Sequence, residues 1–469
     1  DPVYTGENRG PIQHAIDDAA ASPGDDVVVV YPGLSEPFTN PLGFYLENPV
    51  IYAPVKLQGV GPGGVYPDGT NVPGSILDGR GMGGTEVYAG WWRENVGDIW
   101  ENRGGWDGSP VDGDGLPQMY EGQVITVLAE QGEFGFTYRA AIDGFKIQGG
   151  DQQGFPNNLN QVGGEQIPGV APEVVIQGGG IWVNAYARGM QISNNIIENN
   201  GGAYAGGIRI GTPDLPEPYK DGQNDFIIIT KNRLVGNGGT NLAGAIGIFA
   251  GADGYTVSNN DICGNFSAEY GGGISHYGYS PNGRIRNNRI YFNRSYDEGG
   301  GIMIAGELPI DPSILSPGAG PVEVSGNLIQ ANLANDDGGG LRFLMAGNYP
   351  FNVFNNMIVN NVSTHEGGGV SLNDAPDVRF YNNTVMKNIT TATAMTSNGL
   401  AAPAGLASSK NSNLLQATLP AGSPEFSDAL MFNNIFWDNR AGTWTGGGVA
   451  GIGLPGDPSP IFHWDLGVA

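Results

Sequence analysis

Acidic residues recur, singly or in pairs, just ahead of glycine triplets: Glu269-Tyr270, Asp297-Glu298, Asp336-Asp337 and His365-Glu366 precede Gly271, Gly299, Gly338 and Gly367. If these positions stack in space at a strand spacing of about 4.8 Å, neighbouring carboxylates repel by about 1 kcal/mol even in water. A bound hard cation reverses that sign, and calcium, with its preference for several carboxylate and carbonyl oxygens, is the candidate. Its ligands would be Asp297, Glu298, Asp336, Asp337 and Glu366. The same residues also read as solvated acidic turns that keep the chain from aggregating.

Two further clusters could carry chemistry. Arg284, Arg286, Arg289 and Arg294 fall within eleven residues, and an arginine base beside an acidified uronate is one route to polysaccharide cleavage. Arg284, Arg286 and Arg289, with Asp336 and Asp337, are the catalytic candidates, against the alternative that the arginines only solvate an outer face. Trp91, Trp92, Trp100 and Trp106 are four of the eight tryptophans. Beside carboxylates they could stack on sugar rings or anchor a protein partner, or else bury their own indoles. Asp107, Asp112 and Asp114 lie next to glycines without forming an EF-hand pattern. His14, His276, His365 and His463 show no zinc or copper spacing, and neither a G-x-S-x-G elbow nor a phosphate loop occurs. No cofactor is required by these patterns; calcium is the one they admit.

The elements that must hold these residues follow from a repeat. Eight segments share the pattern Asn-x-Φ-x-x-Asn, with Φ apolar. The first Asn is Asn195, Asn232, Asn260, Asn288, Asn327, Asn356, Asn383 or Asn434, and the second is Asn200, Asn237, Asn265, Asn293, Asn332, Asn361, Asn388 or Asn439. Between them stand Ile197, Leu234, Ile262, Ile290, Ile329, Ile358, Val385 and Phe436. Where nothing is inserted the copies lie 27 to 29 residues apart, and segments 213–225, 308–321 and 390–423 account for the longer gaps. Seven copies then reach a small-residue turn, starting at Gly206, Gly244, Gly271, Gly299, Gly338, Gly367 and Gly446.

A fixed period of this size implies units that bury their apolar face only by stacking. Three short strands fit one coil of about 28 residues. Asn at one position in successive coils would then form a column of side-chain amides satisfying turn backbone groups. The expected fold is all-β, a parallel β-helix solenoid.

Asn-x-Ile-x-x-Asn followed by Gly-Gly-Gly-Ile resembles the pectate-lyase-like right-handed parallel β-helix superfamily. More narrowly it resembles the repeats of polymorphic outer-membrane and adhesin passenger domains. The resemblance covers residues 178–449 and implies a right-handed coil without fixing an activity. Polygalacturonase-like members carry Asn-Thr-Asp, Asp-Asp, Gly-His-Gly and Arg-Ile-Lys; here only Asp336-Asp337 and Ser275-His276-Tyr277-Gly278 approach that set.

The ends complete the organisation. Ile12, Ala15, Ile16, Ala19 and Ala20 share one helical face within residues 1–24, a cap for the first coil. Residues 25–177 hold early coils, with strands expected at 27–30, 55–60, 75–77 and 142–148 and a Trp/Asp-rich insertion at 85–120. Residues 178–449 are the regular coils, and residues 450–469 a tail without a closing helix, so an open edge could stack end to end into filaments. Cys263, the sole cysteine, excludes an internal disulfide and reads as a small core residue.

A net charge of −26 with 21 Lys and Arg argues against nucleic acid and anionic membranes, and no apolar run is long enough for a membrane span. A chain opening on Asp1 reads as processed, hence secreted or at the cell surface. Two functions remain: a structural or adhesive stalk or filament subunit that contacts polysaccharide or a protein surface, or a polysaccharide lyase or glycoside hydrolase. The missing catalytic signatures favour the first.

Overall fold

Strands of two to four residues bury too little to persist alone, so their stability must come from stacking in successive coils. The computed structural model describes residues 10–36, 40–81, 86–103, 122–150, 179–215 and 220–469. Contacts divide the chain into two units, residues 1–241 with 249–261, and residues 242–248 with 262–469. Each unit is a parallel β-helix.

In the first unit, helix Pro11–Ala21 buries Ile12 and Ile16 and packs beside strand Val27–Val30. Glu47 closes the helix N-terminus, its carboxylate accepting hydrogen bonds from the backbone N–H groups of Ile12 (3.2 Å) and Gln13 (2.7 Å). Behind it, Val27–Val30, Lys56–Gly59, Ala141–Asp143, Gln191–Ser193, Ile228–Thr230 and Thr256–Ser258 pair in parallel order. The strand expected over 142–148 is two: Gly144, at φ 80°, turns the chain between Ala141–Asp143 and Lys146–Gln148, which join different sheets. Phe226 takes φ 56° just ahead of strand Ile228–Thr230.

Each regular coil of the second unit carries four strands rather than the expected three. One coil supplies Gly283–Arg286, Arg289–Tyr291, Arg294–Ser295 and Ile302–Ala305. The next places Val322–Ser325, Leu328–Gln330, Leu333–Ala334 and Leu341–Leu344 against them in register. The unforeseen strand is the two-residue one between the second Asn and the glycine turn. The Φ positions Ile290, Ile329, Ile358 and Val385 stack inward and are fully buried, each contributing about 1.5–3 kcal/mol.

The asparagine columns form as expected. Asn327 donates its backbone N–H (2.9 Å) and Nδ2 (3.0 Å) to Asn356 Oδ1, while Nδ2 also reaches Ile285 O at 2.9 Å. In this unit the pattern links Asn288, Asn327, Asn356, Asn383 and Asn434, and in the second column Asn265, Asn293, Asn332, Asn361, Asn388 and Asn439. In the first unit it links Asn195 to Asn232 to Asn260, and Asn200 to Asn237. The residue before each ladder Asn takes a left-handed backbone, as at Asn287 (φ 56°), Ala331 (φ 53°) and Asn355 (φ 57°).

Two turns depart from the repeat. After strand Ile389–Thr390 the insertion leaves the coil, and Ala404-Gly405 returns to the glycine-turn position, accepting from Gly369 N and Val370 N. Gly446 does not make the last coil turn. It lies in an antiparallel hairpin, Thr443–Trp444 with Val449–Ala450, while Leu466–Val468 pairs with Leu406–Ser408. Asp465 explains this return: its carboxylate accepts Asn439 Nδ2 at 2.6 Å and so closes the second column. Cys263 sits at an outward position of strand Asp261–Cys263 and is half-buried rather than core.

Candidate functional site: an arginine-centred acidic column

The acidic pairs of the second unit stack because each precedes a glycine turn that the backbone repeats. Gly299 N donates to Asp337 O, and Gly338 N to Glu366 O. This brings Asp297-Glu298, Asp336-Asp337 and His365-Glu366 onto one face of successive coils, where repulsion alone would drive them apart.

What holds them is Arg342, which the acidic pattern did not point to. It lies in strand Leu341–Leu344, in register with Met303 on one side and Ser371 on the other, and its side chain is 4% exposed. Its Nε donates to Glu298 Oε2 at 2.9 Å, one terminal nitrogen reaches Asp337 Oδ2 at 3.0 Å, and the other lies 3.9 Å from Glu366 Oε1 and donates to Ser371 Oγ at 2.5 Å. One guanidinium therefore ties carboxylates from three coils. Ser371 Oγ donates in turn to Glu366 Oε1 at 3.1 Å.

His365 is the second cation. Its Nδ1 lies 2.9 Å from Asp337 Oδ1 and 3.3 Å from Asp336 Oδ1. These two hydrogen-bonded carboxylates push the imidazole up to about 10, so it is charged at neutral pH. Residues on either side of strand Leu406–Ser408 also tie back here: Thr396 Oγ1 donates to Asp336 Oδ1 at 2.8 Å and Ser409 Oγ to Glu366 Oε1 at 2.5 Å.

The carboxylates divide according to these partners. Burial, reinforced by Glu298 and Asp336, pushes Asp297 up to about 7. Burial also raises Glu298 despite Arg342, and raises Glu366. At Asp336 burial acts upward, but hydrogen bonds from His365 and Thr396 outweigh it and the net shift is down. Asp336, Asp337 and His365 place ligand atoms within 4.8 Å of one another. That trio could hold a metal ion, though His365 Nδ1 is already committed to the carboxylates and calcium prefers oxygen.

The other candidates lie apart from this column. Arg284, Arg286 and Arg289 are exposed on strands Gly283–Arg286 and Arg289–Tyr291, in sheets other than the one that holds Arg342. Arg294 lies over the Tyr296 ring, 4.3 Å from its centroid. His276 is fully buried, 2.8 Å from Gly278 O and 3.0 Å from Ala319 O, and burial pushes it down to about 4, as befits a neutral core histidine. Trp91 and Trp92 lie in helix Glu86–Asp98, with Trp91 half-buried and Trp92 buried at 1% exposure. Arg103 fastens this insertion through ion pairs to Asp17 and Asp98. Trp106, Asp107, Asp112, Asp114 and the side chain of Trp100 lie outside the described residues.

Family models, curated proteins and solved structures were all compared with the chain, and none matches.

Proposed function

We propose that the chain is a structural β-helix of the extracellular space or cell surface, a rigid scaffold with an adhesive role rather than an enzyme. One observation carries this reading: Arg342, buried at the centre of the acidic column, is engaged by Glu298 and Asp337 directly and by Glu366 through Ser371, so that it ties the three carboxylates together. A catalytic acid or base needs a group free to exchange protons with a substrate. Here those carboxylates link coils. The neutralisation expected of calcium falls largely to Arg342 and His365, which leaves calcium a minor stabiliser acting on the remaining negative charge.

A polysaccharide-cleaving reading keeps one observation in its favour. Asp297 is pushed up to about 7 while Asp336 in the neighbouring coil is held low, and carboxylates with opposed shifts are what glycoside hydrolysis uses as acid and base. The experiment is a reducing-end and ultraviolet-absorbance screen of the purified chain against a polysaccharide panel, with and without calcium. The scaffold reading expects no product in either condition. Product that disappears in Asp297→Asn or Asp336→Asn would establish cleavage instead.

A further inference from the structure

In a chain of net charge −26 holding 21 Lys and Arg, one coil of the second unit exposes three arginines, two of them side by side on one strand. Arg284 and Arg286 occupy the two exposed positions of strand Gly283–Arg286, and Arg289 opens the next strand, exposed as well. Among the described residues none of the three pairs with a carboxylate within 4.0 Å. The same coil also exposes Phe292 at 64% and Tyr296 at 44%. A shallow cavity of about 150 Å³ opens beside Arg284, walled by Pro321, Val322, Glu323, Pro350 and Asn352.

We propose that this coil is a docking face for an extended acidic polypeptide segment with carboxylates at alternate positions. The argument is one of charge and spacing. Arg284 and Arg286 project from one face of one strand, two residues and hence about 6.6 Å apart. An extended peptide repeats its side chains on one face at that same interval, so carboxylates at positions i and i+2 meet both guanidinia, each able to grip a carboxylate with two hydrogen bonds. The cavity beside Arg284 receives a neighbouring side chain. Glu323 lies opposite Arg284 in register and donates nothing to such a ligand; its carboxylate accepts Ser325 Oγ at 2.7 Å and limits the affinity. The inference deepens the adhesive reading by giving it a partner, and it is tested by binding rather than by catalysis or stability.

The test is fluorescence anisotropy of a labelled peptide of alternating glutamate and serine, titrated with the full chain at low salt. A peptide of the same composition with its glutamates in one block is the spacing control, and polygalacturonate is a competitor. The alternating peptide is expected to bind more tightly than the block peptide. Arg284→Gln and Arg286→Gln should each weaken it by about three- to fivefold, the range of an exposed ion pair, and Glu323→Gln should tighten it. These exposed substitutions leave the core intact, which an unchanged melting temperature verifies. Absence of binding at low salt, equal binding of the two peptides, indifference to the arginine changes, or preference for polygalacturonate would each overturn the proposal.

Discussion

A guanidinium that is 4% exposed must be neutralised where it stands, and Arg342 is neutralised by carboxylates that would otherwise repel one another. Removing one partner of such a buried set costs about 3–5 kcal/mol, because the remaining charges lose their compensation. Arg342→Met should therefore lower stability by about that amount at pH 7 in denaturant unfolding, and Arg342→Lys, which keeps the charge but not the fork, should fall between. The pH dependence has a definite sign. His365 is raised to about 10, so its contribution is complete below about pH 6.5 and is lost as pH rises through 10. His365→Asn should accordingly lower the melting temperature at pH 6 and leave it unchanged at pH 11. Asp297 is raised to about 7, so the folded state pays for keeping it protonated as pH rises from about 4 to 7. Asp297→Asn should match the parent at pH 3.5 and exceed its melting temperature at pH 8.

At the scale of the coil, the amide columns and the left-handed residues ahead of them set the turns. Asn361 is fully buried, gives its Nδ2 to Asn388 Oδ1 and Ile329 O, and accepts from Asn332. Asn361→Ala should cost about 1–3 kcal/mol by leaving those groups unpaired, measured as a fall in the denaturant midpoint. Ala331 holds φ 53°, where a Cβ is unfavourable, so Ala331→Gly should raise stability by about 0.5–1 kcal/mol. The Asn spacing made the columns, the Φ core positions and the stacking of the acidic pairs legible from sequence. Arg342 was not, because its column holds Met303 and Ser371 in the coils on either side; an arginine at an otherwise small or apolar position, four residues past Gly338, was the available signal. The Gly446 triplet misled for the opposite reason. It matches the local motif, while the return of the tail is set by Asp465 meeting the Asn439 amide, a contact between residues 26 apart that no repeat encodes.

Over the whole molecule, stacked coils contact chiefly their neighbours, so stability is a sum of local terms and a tie reaching across three coils counts for more than any single strand pair. Leu466–Val468 completes the last coil and, like Leu430–Phe432, Ile435–Trp437 and Arg440–Ala441, is the end strand of its sheet; this is the edge through which end-to-end stacking would run. The central claim is that internal cations, chiefly Arg342, hold the acidic column as a structural tie. The most direct test is denaturant unfolding of the parent and of Arg342→Met, each with and without calcium. The account predicts a loss of about 3–5 kcal/mol in the variant and only a small calcium effect on the parent. A variant as stable as the parent, or a parent that needs calcium for its stability, would contradict it and return the acidic column to the role of a metal site.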